Sequence, residues 1–101
     1  MLKHIVMWSF IDGATDKSRA EHAAWMKEHL EALVGVVPEI RSLEVGINQS
    51  TSPMAYDAVL TLVVDDADAL KRYREHPAHI EISEYCQAVR QARVVVDYVT
   101  P

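Results

Sequence analysis

One cysteine, Cys86, is all the chain contains, so it has no internal disulfide to form. With no His/Asn arrangement evident around it, Cys86 reads as a small core filler and not as a nucleophile. Glycine is scarce as well, with three in all. Neither a glycine-rich phosphate loop nor a dinucleotide fingerprint is present, so no phosphate-bearing cofactor is expected. The HExxH metalloprotease pattern is missing. No apolar run approaches the ~20 residues that span a bilayer. The N-terminus enters an alternating segment at once, without the basic region and apolar core of a secretory signal, and a cytoplasmic location is expected. Positive charge is in deficit, with a net charge of -5, which gives no global attraction to nucleic acid or to anionic membranes. The one basic cluster, Lys71, Arg72 and Arg74, reads as a solvated helix face.

What remains is an ordinary globular composition, 50% hydrophobic and 25% charged over 101 residues. A single domain spanning residues 1–101 is expected. A chain this short buries its core with little to spare, which favours a partner subunit. LKHIVMWSF, residues 2–10, is a strand with two apolar faces: His4, Val6, Trp8 and Phe10 on one, Ile5 and Met7 on the other. After Asp12-Gly13, Thr15 or Asp16 is positioned to cap a helix running to about residue 34, with Ala23, Met26, Leu30 and Leu33 as its buried stripe. IRSLEVGIN and YDAVLTLVV read as two strands joined by a polar loop. Asp65 or Asp66 caps a short helix to about Arg74, and Pro77 opens another to about Ala88. RVVVDYV, residues 93–99, is the last strand.

The resulting order, β-α-β-β-α-(α)-β, is the split βαβ pattern of an α+β ferredoxin-like sandwich, a four-stranded antiparallel sheet with its helices on one face. The other face, assigned Ile5, Met7, Val59, Val63, Val95 and Val99, would be a large apolar patch on a monomer. A second copy of the same sheet would cover it, and a homodimer is expected.

Residues 73–79, YREHPAH, carry the chemistry. Imidazole exchanges protons near pH ~6.5, and a phenol hydroxyl donates to a developing oxyanion. On a straight helix, Tyr73 and His79 would point about 120° apart. A turn at Pro77 would let them converge on one cavity, while His76 serves the turn itself. Metal binding is not expected: His76 and His79 alone fall short of the three or four ligands of a zinc site, and His22 and His29 lie roughly 10 Å apart along a helix. The acidic run Asp65, Asp66, Asp68 reads most simply as helix capping, with a hydrated magnesium ion as the alternative. A mostly apolar cavity between sheet and helices is expected, lined by Val6, Trp8, Met26, Leu30, Leu60 and Leu62 with His4 as a polar point.

The segments KHIVMWSF, VPEIRSLEVGIN, YREHPAH and VVVDYV together resemble the stress-responsive dimeric α/β-barrel (Dabb) family over almost the whole chain. The resemblance implies a ferredoxin-like monomer whose sheet packs on its twin to form a dimeric α+β barrel. Plant polyketide cyclases of the olivetolic acid type belong to that family and close β-keto thioesters without a cofactor. By similarity to their YxxHPAH segment, His79 would be the catalytic base and Tyr73 the hydrogen-bond donor to the thioester or enolate oxygen, with His4 a pocket histidine. Four positions depart from those cyclases. Ala58 stands in place of a pocket histidine, Lys27 and Leu30 in place of aromatic residues, and Arg90 in place of a pocket tryptophan, so a different small apolar or aromatic compound is expected. Two other functions fit the same sequence: a non-catalytic stress or ligand-binding protein, and a dimeric-barrel monooxygenase.

Overall fold

The computed structural model describes residues 1–101. The order is β1 (Leu2–Phe10), a short 3-10 turn (Ala14–Asp16), α1 (Arg19–Glu31), β2 (Ser42–Ile47), β3 (Ala58–Val64), α2 (Ala67–Glu75), α3 (Pro77–Val89) and β4 (Arg90–Val99). The strands form one sheet in the order β2-β3-β1-β4, every neighbouring pair antiparallel. This is the α+β ferredoxin-like sandwich expected from the element order.

Strand alternation sends successive side chains to opposite faces. His4, Val6, Trp8 and Phe10 of β1 are buried beneath the helix layer, together with Ala58, Leu60, Leu62 and Val64 of β3 and Val45 of β2. Across from them α1 buries His22, Ala23, Met26 and Leu30, α2 buries Ala69, Leu70 and Tyr73, and α3 buries Ile82, Cys86 and Val89. Cys86 is thus a core residue at the helix–sheet boundary.

Two expectations need correction. The first concerns the α1 cap: Ser18, not Thr15 or Asp16, starts the helix. The Ser18 hydroxyl accepts from the Glu21 amide at 3.1 Å, and the Glu21 carboxylate accepts from the Ser18 amide at 3.0 Å. That reciprocal pair is a capping box. Thr15 and Asp16 belong to the preceding turn, where both hold positive φ, 53° and 61°. The helix also ends at Glu31, and Gly35 at φ 87° turns the chain beyond it.

The second correction concerns the phase of β4. Its register pairs Trp8 with Arg93, Val6 with Val95 and His4 with Asp97. Val95 and Val99 therefore lie on the helix side, and the outward face is completed by Val94, Val96 and Tyr98 beside Ile5, Met7, Val59 and Val63. Three consecutive valines give no alternation from which to read a phase, and a one-residue shift exchanges the faces. The apolar outward face itself is present, with Met7, Val94, Val96 and Tyr98 all exposed.

The cap assignment has a direct check. Ser18→Ala should lower unfolding free energy in urea by about 1 kcal/mol. Thr15→Gly, which relieves a left-handed backbone position, should not lower it.

Candidate functional site

The site is built around the junction of α2 and α3. Pro77 disfavours helical backbone at the residue before it, and His76 takes the extended values φ -64° and ψ 133°. His76 then serves both helices. Its amide donates to the Tyr73 carbonyl at the end of α2, and its Nδ1 accepts from the Ala78 amide at the start of α3. Its carbonyl takes the amides of His79 and Ile80 at 2.9 and 3.0 Å. Two helices therefore meet at an angle without losing their terminal hydrogen bonds. The consequence is that Tyr73 and His79 meet, with ring centroids 4.6 Å apart.

Both line a cavity of about 290 Å³ between sheet and helices. Val6, Trp8, Met26, Leu30 and Leu60 form apolar wall, and His4 and Arg90 also line it. Lys27 and Leu62 do not. Lys27 lies on the far flank of α1, held by Glu31 at 2.8 Å and by the Val45 carbonyl at 2.7 Å. Leu62 is fully buried, packed beneath the helices as solid core. Both share a face or element with true wall residues, and sequence spacing alone does not separate wall from core.

The hydrogen bonds fix the proton positions. His79 Nδ1 lies 3.2 Å from the Arg74 carbonyl, which only accepts, so Nδ1 carries the proton. Nε2 keeps its lone pair, has no protein partner and is not among the buried orphan atoms. His4 Nδ1 bonds the Asp97 carboxylate at 2.5 Å, which likewise leaves its Nε2 as the free nitrogen. The Arg74 guanidinium lies 3.6 Å from the other Asp97 oxygen. Tyr73 Oη and Trp8 Nε1, by contrast, are buried with no partner at all. A buried polar group without a hydrogen bond costs about 1–3 kcal/mol, which a bound molecule or water able to accept would offset.

Burial governs the protonation states. It pulls the His79 imidazole below its ordinary 6.5, outweighing the hydrogen bond to the Arg74 carbonyl, and the nearby His4, Arg74 and Arg93 push the same way. His4 is also lowered by burial, which outweighs the raising effect of Asp97. Both imidazoles are therefore neutral at neutral pH. Burial moves the Tyr73 phenol far upward, so it remains a hydrogen-bond donor. The walls thus present two neutral bases and two orphan donors.

Several wall residues escaped the sequence reading: Arg74, Ile82, Ser83, Cys86, Gln87 and Arg93. Asp97, which orients His4, escaped with them. The available signal was one charge inside VVVDYV, opposite a histidine on the first strand, and it becomes legible only once the β1–β4 register is known. A second depression, of about 460 Å³, lies on the outward side around Met7, Met54, Tyr56 and Val59. It is the larger of the two but carries no titratable pair, and it belongs to the apolar face.

Fold and cavity together define a ferredoxin-like α+β protein with a small-molecule-sized pocket under its helices. The chain belongs to the Stress responsive A/B Barrel Domain (Dabb) family, whose profile matches residues 2–100. It is similar to an uncharacterized protein of Streptomyces coelicolor, 42% identical over 80 residues, which are 78% of this chain and 79% of that one. Among solved structures it resembles a dimeric protein of unknown function with a ferredoxin-like fold from Bacteroides fragilis. The TM-score is 0.81 and the identity 28%, over 98% of this chain and 95% of that chain. The fold is shared too by a hydroxynitrile lyase from Passiflora edulis, at TM-score 0.78 and 14% identity over 99% of this chain and 93% of that chain.

Lowered imidazole pKa values set the direction of a pH effect. In the window below 6.5 the unfolded chain binds protons that the folded chain refuses, so stability rises with pH there. The contribution is fully present above the unfolded value and is lost as pH falls through the folded ones. Imidazole NMR titration should place His4 and His79 below 6.5, and urea midpoints should drop on acidification beneath that pH.

Proposed function

We propose that residues 1–101 act as one cytoplasmic Dabb domain that pairs through its outward sheet face and catalyses cofactor-independent proton transfer on a small apolar or aromatic carbonyl compound. One observation carries the reading: the Tyr73 hydroxyl, buried without a partner, stands beside a neutral His79 whose Nε2 is free, inside one cavity. In this reading His79 Nε2 takes a proton from an activated methylene, and the Tyr73 O–H donates to the oxygen on which the negative charge settles. The carbanion then attacks within the same molecule, as in a cyclisation, or is reprotonated. His4, oriented by Asp97, is the second point of the cavity wall that takes or returns a proton. A hydroxynitrile lyase is built on this fold, though at that identity the likeness speaks for the fold alone.

Pairing is supported by the exposed apolar face and by the dimeric state of the Bacteroides fragilis protein. Stacking two such sheets buries Ile5, Met7, Val59, Val94 and Val96 and closes a barrel. The chain should sediment as a dimer at micromolar concentration. Val59→Asp should give monomer or unfolded chain, since a charge without a partner is costly to bury.

Hydrogen–deuterium exchange of acidic methylenes, followed by proton NMR across a panel of β-keto esters and thioesters, tests the chemistry. His79→Ala should cut the enzyme-dependent rate about 100-fold or more. Tyr73→Phe should cut it by about 10-fold or more while leaving the empty protein as stable as before or more so, because the deleted hydroxyl has no partner to lose. An exchange rate untouched by His79→Ala would overturn the acid–base role. A panel that binds without exchanging would leave a ligand-binding protein.

A further inference from the structure

Charge is distributed unevenly around the cavity. The chain carries a net charge of -5, yet three arginines, Arg74, Arg90 and Arg93, line this one space, and no carboxylate side chain lines it. Of the three, only Arg74 has an anionic partner, at 3.6 Å on Asp97. The structure holds three other arginines: Arg19 bonds Asp57, Arg41 bonds Asp65 and Arg72 bonds Glu39, all between 2.7 and 3.1 Å, so this chain supplies its arginines with carboxylates elsewhere. Arg90 and Arg93 receive none.

Their placement is not incidental to the sheet edge. Arg93 pairs across the sheet with Trp8 and so shares the helix-side face with His4, Val6 and Trp8, away from the face that would pair with a second copy. Arg90 is half-buried and stands at the bulge opposite Phe10, beside Cys86. Arg93 itself is exposed, so an anion entering the cavity can reach it, and partial burial together with the neighbouring Arg90 weakens the hold of its guanidinium on its proton. A planar guanidinium presents paired N–H groups that match a carboxylate in two parallel hydrogen bonds.

We infer that the cavity takes a small organic carboxylate, with its carboxylate on Arg90 and Arg93 and its apolar body against Trp8, Met26 and Leu30. This inference rests on the proposed small-molecule reading of the same cavity and names the substrate class: a keto or aromatic acid whose reacting carbon falls by His79 and Tyr73. It also accounts for the departure at position 90, where an arginine exchanges apolar wall for a fixed positive charge. A carboxylate and the phosphates of a carrier group share the chemistry that guanidinium recognises, and the cavity volume of about 290 Å³ favours the smaller group.

Calorimetric titration of the full chain with 2-naphthoate, its neutral amide 2-naphthamide and inorganic phosphate distinguishes these cases. The acid should bind about tenfold or more tightly than the amide, as expected for hydrogen bonds to a charged group. Arg93→Gln and Arg90→Gln should each remove most of that preference while leaving the amide's affinity and the urea midpoint in place. Arg93→Lys, which keeps the charge and loses the fork, should retain part of it. Equal binding of acid and amide would sink the carboxylate assignment and leave the acid–base pocket standing. Phosphate displacing the acid at equal concentration would likewise overturn it, in favour of a phosphorylated ligand. Binding of neither organic probe would bring down the inference and the small-molecule reading together.

Discussion

Everything in the cavity depends on how the chain passes from α2 to α3 at His76 and Pro77. Proline removes one amide and excludes helical backbone at His76, and an uncompensated break there would strand carbonyls at the end of one helix and amides at the start of the next. His76 repairs both, donating its amide backward to Tyr73 and accepting the Ala78 amide on its ring. Its side chain is consumed by this work. The freed geometry is what brings His79 against Tyr73, and it also delivers the Arg74 carbonyl to His79 Nδ1. One residue pair thus sets both the position and the tautomer of His79.

The sheet divides its labour by alternation. Odd positions of β1 face outward and make an apolar surface, and even positions face the helices and supply His4, Val6 and Trp8. Since β4 pairs along the whole of β1, its own alternation delivers Asp97 to His4 and Arg93 to the neighbourhood of Trp8. The site is therefore assembled from a helix junction and from cross-strand pairs. Neither part touches the outward face, so the proposed pairing and the proposed chemistry would use opposite sides of the same strands.

This division explains what the sequence made legible. Element order, the buried stripe of α1, the cap at Asp66 and the break at Pro77 all follow from local rules, because each is decided within a few residues. The meeting of Tyr73 and His79 was readable for the same reason. The cap of α1 was misplaced because Thr15, Asp16 and Ser18 are all good capping types in sequence, and only the backbone shows the first two in a left-handed turn. The phase of β4 was hidden by a run of valines, and with it Asp97 and Arg93, whose roles depend on a partner some ninety residues away. Lys27 and Leu62 were assigned to the wall by periodicity, which identifies a buried face but not where packing stops and space begins.

The cavity's electrostatics hold together as one device. Cations nearby make an imidazole a weaker base, which by itself slows proton abstraction. In the proposed reaction the same cations, with the Tyr73 hydroxyl, would stabilise the anion that abstraction leaves behind, so the substrate would become more acidic as the base becomes weaker. A neutral His79 at physiological pH is ready to accept a proton without first losing one. Asp97 limits the penalty on the other side: it sits on His4, not on His79, and is itself held by Arg74. In the proposed reaction a positive charge created in the cavity would be balanced at one end, and a negative charge at the other, where Arg90 and Arg93 have no carboxylate of their own.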